Sequence, residues 1–112
     1  MYDYSAVLRR VIDGDTYVLD IDLGFHVWTT QHIRLAGIDC PEHTTPTGVL
    51  ATRFARSWFA MVNGQVILET APGQPTTFER WVGSIHAPGQ TWLSNPSLET
   101  ALRTSGFVKP GV

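Results

Sequence analysis

The tripeptide Asp13-Gly14-Asp15 separates two runs rich in apolar and β-branched residues, and it constrains the fold more than any other part of the sequence. Glycine readily adopts the positive φ of a tight turn, so the pattern predicts a β-hairpin. The run after the turn, from Thr16 to Leu23, has a period of two. It places Tyr17, Leu19, Ile21 and Leu23 on one face, and Val18, Asp20 and Asp22 on the other. This alternation predicts a half-buried strand.

A second acidic segment, Asp39-Cys40-Pro41-Glu42, follows a long predicted strand region that extends from Phe25 to Ile38. In this region Ile33 and Leu35 are predicted to face the core, so Arg34 between them points the opposite way. If the first three strands form a meander, the two acidic turns lie side by side. Such a pair of turns predicts a site for a hard cation, because Mg²⁺ and Ca²⁺ bind carboxylate, carbonyl and water oxygens.

Three further strands and two helices are indicated by the rest of the chain. The strands are predicted at Ala6 to Ile12, Gln65 to Thr70 and Phe78 to His86. A long helix is predicted between the third and fourth strands, because Leu50, Phe54, Trp58 and Met61 recur at helical spacing. Thr47 is its predicted N-cap and Asn63-Gly64 its end. A short C-terminal helix is predicted to bury Leu98 and Leu102.

The order β-β-β-α-β-β-α predicts an α+β, β-rich fold. Its architecture is a five-stranded Greek-key barrel of the OB type, with one long helix after the third strand and a short C-terminal helix. A length of 112 residues predicts one domain, residues 1–112. Apolar content of 43% and charged content of 16% are typical of a globular chain rather than a disordered one.

Charge, cysteine content and hydropathy exclude several classes of function. The net charge of −2 predicts no strongly basic surface for a polyanion. A single cysteine excludes an intramolecular disulfide and a thiolate zinc cluster. The N-terminal residues do not resemble a signal peptide, and no apolar run is long enough for a membrane span. The expectation is a monomer without a membrane partner, cytoplasmic by default, although the compartment stays unknown.

The order of these motifs is similar to that of a known family. The run Asp13-Gly14-Asp15-Thr16 is followed by Ile33-Arg34-Leu35, by Asp39-x-Pro41-Glu42 and finally by Arg80. In these pieces, and over roughly residues 6–106, the sequence resembles the staphylococcal nuclease-like (thermonuclease) family. The resemblance implies an OB-type barrel and a calcium-dependent phosphodiesterase that hydrolyses DNA or RNA.

The resemblance also implies a role for each motif residue. Asp15 and Asp39 would bind one divalent ion, Ca²⁺, with the backbone carbonyl of Cys40 as a third ligand. Glu42 would act on the attacking water as general base. Arg34 and Arg80 would bind the phosphoryl oxygens, a task for which the planar guanidinium is well suited.

Some assignments stay open at this level. Phe78 stands where family members often have a tyrosine near the nucleotide, so it either stacks on a base or packs in the core. The family usually carries a lysine in the run before the second arginine, whereas Thr76-Thr77-Phe78-Glu79 precedes Arg80 here. The alternative function is a non-catalytic OB-type module that binds single-stranded nucleic acid or a protein partner. An exposed Trp28 would indicate base stacking.

Overall fold

The computed structural model describes residues 2–70, 81–87 and 97–107. In these ranges the chain forms five strands and two helices, in the order β1 (Tyr2–Asp13), β2 (Thr16–Asp22), β3 (Trp28–Leu35), α1 (Pro46–Met61), β4 (Gln65–Thr70), β5 (Trp81–His86) and α2 (Leu98–Thr104). The strands close into a barrel in the order β1-β2-β3-β5-β4. The predicted β-rich fold of five strands and two helices is confirmed.

Strand β1 closes the barrel because it is long enough to pair on both sides. Its first half pairs antiparallel with β4, from Tyr2 opposite Thr70 to Val7 opposite Gln65. Its second half pairs antiparallel with β2, and the register shifts twice, between Leu8 and Arg10 and between Val11 and Asp13. Such irregularities bend a strand and increase its twist, which closure of a small barrel requires.

The remaining pairings bring the end of β3 next to β5. Strands β2 and β3 pair antiparallel, with Thr16 opposite Arg34. Strands β3 and β5 pair in parallel, with Arg34 opposite Val82. The start of β2, the end of β3 and the first half of β5 therefore lie side by side at one end of the barrel.

The core consists of the inward faces of the strands together with one face of each helix. As predicted, Tyr17, Leu19 and Ile21 are fully buried, whereas Leu23 lies beyond β2 and is exposed. Leu98 and Leu102 of α2 are also fully buried. The ring of Phe59 in α1 meets that of Tyr17 edge-on, with centroids 5.1 Å apart. This contact places α1 across one end of the barrel.

The predicted apolar stripe of α1 is confirmed in part. Trp58 is buried and Phe54 packs against the core, but Leu50 and Met61 are exposed. The buried residues of the helix are Gly48, Ala51, Thr52, Ala55, Trp58 and Phe59. Small residues form much of this face because the helix packs closely on its neighbours: a Cβ placed on Gly14 would lie 2.9 Å from Cβ of Ala51.

Element boundaries differ from the predictions in three places. Strand β1 begins at Tyr2 rather than Ala6, because pairing with β4 extends it. Strand β3 covers only Trp28–Leu35, since residues 24–26 have positive φ and Gly37 forms a further turn. The N-cap of α1 is Thr45 rather than Thr47; its side chain accepts a hydrogen bond from Gly48 N, and Pro46 follows at the first helical position. Neither described helix is long and apolar enough to span a membrane.

Candidate active site

Asp15 is the buried centre of the candidate site. It stands at the start of β2, where its backbone carbonyl accepts a hydrogen bond from Leu35 N at 2.9 Å and so ties the β1–β2 turn to the end of β3. Its carboxylate is almost fully buried. Oδ1 accepts the hydroxyl of Thr16 at 3.0 Å, and Oδ2 accepts the backbone N–H of Cys40 at 2.8 Å. These hydrogen bonds satisfy a carboxylate that would otherwise be costly to bury.

The guanidinium of Arg34 lies between two carboxylates. Its Nη1 is 3.2 Å from Oδ2 of Asp15, and its Nη2 is 3.5 Å from Oδ1 of Asp39. Nη1 also donates to the carbonyls of Leu35 and Ile38. As predicted, Arg34 points away from the core positions on either side of it. The contacts hold its side chain in one orientation at the end of β3, which is the preorganisation that an anion-binding group needs.

A cleft of about 340 Å³ opens beside this arginine. Arg34 and Asp39 line it on the polar side, and Leu35, Ile38 and Val82 line it on the apolar side. The volume lies at the lower end of the range of small-ligand sites. The cleft therefore has room for a phosphodiester group beside the guanidinium.

Cys40 contributes its backbone, while its side chain belongs to the core. Its N–H donates to Asp15, as described, and its side chain is buried against the turn. A Cβ placed on Gly14 would lie 3.1 Å from Sγ of Cys40. Burial, and to a smaller extent the nearby Asp15 carboxylate, raises the pKa of the thiol to about 12. The thiol is thus protonated at neutral pH and is a poor nucleophile or ligand.

Glu42 is exposed on the loop that joins the site to α1. The loop backbone is fixed at this residue, because its carbonyl accepts from both the N–H and the hydroxyl of Thr45, at 3.0 and 2.8 Å. A Cβ placed on Gly48 would overlap that carbonyl, so the first turn of α1 approaches the loop as only glycine allows. In the described part of the chain the Glu42 carboxylate has no hydrogen-bond partner, which leaves it open to a water molecule.

Asp13 holds the same loop from the other side. Its Oδ1 accepts from the backbone N–H of His43 at 2.8 Å and contacts Nδ1 of the same residue at 2.7 Å. Asp13 therefore binds this loop, and its pairing with His43 was not predicted.

Arg103 is a further residue that sequence reasoning missed. Its Nη2 donates a hydrogen bond to the carbonyl of Gly37 at 2.8 Å. This bond connects α2 to the turn between β3 and the acidic segment. Glu99 on the same helix accepts from Ile85 N at 3.0 Å. An arginine in the last turn of a short helix carries no sequence signal for such a contact, because the two residues are 66 positions apart.

The donor set is suited to a divalent ion that keeps most of its water. Asp15 and Asp39 are brought together through Arg34, and a carbonyl of the Cys40 segment would make three protein oxygens in all. Ca²⁺ takes six to eight oxygen ligands, so water and substrate would supply the rest. No group of three or more His, Cys, Asp or Glu side chains able to hold a metal occurs among the described residues. Calcium binding by Asp15, Asp39 and the Cys40 carbonyl therefore stays a prediction.

Five of the seven predicted site residues fall within the described ranges. Arg34 contacts both Asp15 and Asp39, and Cys40 and Glu42 lie on the adjoining segment. Phe78 and Arg80 lie outside the described residues. No protein-family model and no curated protein matches the sequence. The similarity to the thermonuclease family accordingly stays a prediction that depends on the motifs.

Proposed function

We propose that the protein is a calcium-dependent phosphodiesterase of the thermonuclease type that hydrolyses DNA or RNA. One observation carries this proposal: Arg34 lies between the carboxylates of Asp15 and Asp39, at 3.2 and 3.5 Å, on the rim of an open cleft. A fixed guanidinium beside two acidic oxygens is the combination that phosphodiester hydrolysis needs, because the reaction requires a cation near the phosphate and a positioned anion-binding group.

The strand arrangement supports the finer assignment to an OB-type Greek-key barrel. Five strands close in the order β1-β2-β3-β5-β4, and the β3–β5 pair is the parallel one. Small five-stranded barrels of this type bind nucleic acids on the surface of their second and third strands and on adjoining loops. The candidate site lies at the ends of those two strands, which is consistent with such use.

Each residue has a separate task in the proposed reaction. When bound, the calcium ion would supply positive charge that offsets the charge of the phosphate. Glu42 would accept a proton from the attacking water, since its carboxylate is exposed on a fixed loop. Arg34 would bind a non-bridging phosphoryl oxygen and stabilise the charge that develops there, with Arg80 as the predicted second guanidinium. Asp13 would position the loop that carries Glu42, and Arg103 would position the turn at Gly37.

The first test of the proposal is an assay on single- and double-stranded DNA. We expect hydrolysis with Ca²⁺, little activity with Mg²⁺ and none with a chelator, because Ca²⁺ tolerates irregular oxygen coordination whereas Mg²⁺ demands near-octahedral geometry. Full activity in the chelator, or equal rates with zinc alone, would contradict the proposal.

A substitution at Glu42 separates a catalytic carboxylate from a turn residue. Glu42→Gln should lower kcat roughly 10²–10⁴-fold, the contribution expected of a positioned base. Its melting temperature should stay unchanged, since the loop is held through the Glu42 carbonyl rather than the carboxylate. The matched control is Glu69→Gln on β4, which makes the same chemical change outside the site. Equal kcat values for Glu42→Gln and the parent protein would favour a non-catalytic role.

The hairpin tip supports a second candidate, a non-catalytic binding module. The tip comprises residues 23–27 between β2 and β3 together with Trp28, the first residue of β3; Phe25 is 99% exposed and Trp28 is 53% exposed. Exposed aromatic rings stack on bases without sequence preference. Binding of single-stranded DNA that is lost in Trp28→Ala, together with no hydrolysis under any metal condition, would favour this candidate over the nuclease.

A further inference from the structure

Two cavities lie between β1 and α1 and share no lining residue with the cleft beside Arg34. The larger has a volume of about 410 Å³ and is lined by Leu8, Val11, Phe59 and three arginines: Arg9, Arg10 and Arg56. The smaller, of about 240 Å³, is lined by Ile12, His43, Val49 and two arginines: Arg53 and Arg56. Because Arg56 lines both, the two cavities adjoin and together form a groove. We call this feature the arginine groove.

The positive charge of the chain is concentrated in this groove. It holds four of the eight lysine and arginine residues, in a protein whose net charge is −2. Arg9 is paired with Asp20 at 3.2 Å. The other three, Arg10, Arg53 and Arg56, are exposed and make no hydrogen bond or ion pair to any described residue. Three unpaired guanidiniums along one groove are a ready site for phosphate groups.

The walls between the arginines are apolar, so the groove suits a ligand that carries apolar groups between its negative charges. Nucleic acid is such a ligand, because sugars and bases separate its phosphates. Duplex DNA keeps its bases stacked inside, so the concavities favour a single strand. Val49 and Ala60 of α1 are eleven positions apart, which corresponds to roughly 16 Å at 1.5 Å per residue. A stacked strand places roughly four or five phosphates along that length.

The arginine groove leads to the candidate active site. His43 lines its smaller cavity and immediately follows Glu42, the proposed general base. The same histidine is held by Asp13 of the β1–β2 turn, at 2.7 and 2.8 Å. A strand bound along α1 would therefore enter the site past His43, at the end of the loop that carries Glu42.

We propose that the arginine groove binds the phosphodiester backbone of single-stranded nucleic acid and guides it to the candidate active site. This inference rests on the proposed nuclease function, which it deepens by assigning an extended substrate path outside the catalytic residues. The protein would then prefer chains of several nucleotides over dinucleotides. The salt dependence of binding would be steeper than Arg34 alone predicts, since three groove arginines add about −2 to the slope of log K against log salt.

The test measures binding in chelator, so that hydrolysis does not interfere. The probes are fluorescein-labelled oligothymidylates of twelve and of two nucleotides, titrated at several salt concentrations. For the parent protein we expect the dodecamer to bind far more tightly than the dinucleotide. Arg53→Gln/Arg56→Gln should weaken dodecamer binding at least tenfold, on the scale of lost charge-assisted hydrogen bonds. It should also lower the salt slope by about 1.4 and leave dinucleotide binding unchanged.

A charge-matched control separates the groove from net charge. Arg56→Gln and Thr100→Glu each change the net charge by −1, but Thr100 is exposed on α2, outside the groove. Thr100→Glu should bind the dodecamer within twofold of the parent protein, whereas Arg56→Gln should not. Melting temperatures of all variants should match, because the substituted side chains are exposed.

Three outcomes would overturn the inference. In the first, the arginine variants bind the dodecamer as tightly as the parent protein does. In the second, the parent protein binds the dodecamer and the dinucleotide with equal affinity. In the third, the protein binds phosphatidylserine vesicles through these arginines and does not bind the dodecamer.

Assays of hydrolysis with Ca²⁺ distinguish the failure of this inference from the failure of the proposed nuclease function. Dodecamer binding that depends on the groove arginines, without hydrolysis, would refute the nuclease function and support binding by the groove. Hydrolysis at the parent rate in Arg53→Gln/Arg56→Gln would refute binding by the groove and support the nuclease function.

Discussion

The two ends of β2 are connected to the rest of the protein in opposite ways. At its start, Asp15 is 6% exposed and contacts β3, the acidic segment and Arg34. Beyond its far end, the hairpin tip holds Phe25, which is 99% exposed. The hydrogen bonds recorded at the tip are local: Leu23 N to Val27 O, Val27 N to Gly24 O, and Gly24 N to the Asp22 carboxylate.

Backbone conformation differs in the same way. At the hairpin tip Gly24, Phe25 and His26 all have positive φ, 85°, 54° and 60°. A left-handed conformation is unfavourable for phenylalanine, whose β-carbon approaches the next carbonyl oxygen. At the other end, Gly14 has a close neighbour instead: a Cβ there would lie 2.9 Å from Cβ of Ala51. The two ends therefore constrain the sequence through different physical effects, tertiary packing at one and local backbone strain at the other.

This difference indicates where function depends on the fold. The start of β2 is preorganised by contacts with β3, the acidic segment and α1, so substitutions there should alter both stability and activity. The hairpin tip is supported by its own turn, so substitutions there should alter local strain and leave the candidate site unchanged. The predictions below test this contrast.

The largest effect is expected for Arg34→Ala. It would leave the buried Asp15 carboxylate without its cation, and loss of one partner of a buried pair costs about 3–5 kcal/mol. Because Arg34 is itself 25% exposed, the expected loss in the free energy of unfolding is smaller, about 2–3 kcal/mol. From the sequence alone the fold would be expected to tolerate this substitution, since Arg34 points away from the core. The structure revises that expectation.

Urea denaturation and steady-state kinetics test the Arg34 prediction together. We expect kcat to fall roughly 10²–10³-fold as well, as when one transition-state donor is removed. The stability control is Arg9→Ala, which removes an arginine from the exposed pair with Asp20 and should cost less than about 1 kcal/mol. Equal losses of stability for the two variants would show that Asp15 does not need Arg34.

The next effect compares two glycines that flank β2. Gly14→Ala should lower the free energy of unfolding by about 1–3 kcal/mol, because the new methyl group overpacks against Ala51 and Cys40. It should also lower kcat, since the turn carries Asp15. Gly24→Ala meets no described atom within 4 Å, so its cost of about 1 kcal/mol comes only from its positive φ. Its kcat should match that of the parent protein; a fall in kcat would show that the tip is coupled to the site.

Much of the site was predictable because its signals are short-range. The turn at Asp13-Gly14-Asp15, the alternation of β2 and the position of Arg34 between Ile33 and Leu35 follow from local sequence. The reason predicted for the turn was wrong, because Gly14 does not have a positive φ; close contact with Ala51 and Cys40 requires glycine there instead. The period of two also predicts correctly that Arg34 points out of the core. Convergence of the two acidic turns required only that the first three strands form a meander, which they do.

The missed features depend on contacts between distant segments. Arg103 binds Gly37, and the extension of β1 to Tyr2 depends on pairing with β4. The arginine groove was missed because the net charge of −2 averages over the whole chain. Arg10 and Arg56 meet only when α1 packs on β1, and neither element is basic along its full length.

A smaller effect is expected at Cys40, whose role at the site is carried by its backbone. Cys40→Ala keeps the N–H that binds Asp15, so calcium dependence and kcat should change less than twofold. The lost sulfur contacts should cost about 1 kcal/mol of stability. Thiol reagents should react slowly with the folded parent protein at pH 8, because burial raises the pKa of this thiol to about 12. A tenfold loss of activity in Cys40→Ala would contradict a backbone role.

The same thiol predicts a pH dependence. Its pKa is raised from 9.0 to about 12 on folding, so between these values the folded state holds a proton that the unfolded state has lost. The stabilisation is fully present below about pH 9 and is lost as pH rises towards 12. Urea denaturation should therefore show a steeper decline with pH in the parent protein than in Cys40→Ala. Burial also raises the pKa of Tyr17, and the charged thiolate of Cys40 raises it further, so the contribution of Tyr17 should be smaller in Cys40→Ala and act in the same direction.

The smallest effect, and the only gain, is expected at the hairpin tip. Phe25 and Asn63 have nearly the same left-handed φ, 54° and 56°, and both side chains are exposed. Asparagine tolerates this conformation better than phenylalanine, so Phe25→Asn should raise the free energy of unfolding by about 0.5–1 kcal/mol and Asn63→Phe should lower it by a similar amount. Urea denaturation of both variants measures the pair, and kcat of Phe25→Asn should equal that of the parent protein. A loss of stability in Phe25→Asn would show that the ring is packed in solution, for instance against a second copy of the chain. The tip would then be held by more than its own turn, and the contrast between the two ends of β2 would fail.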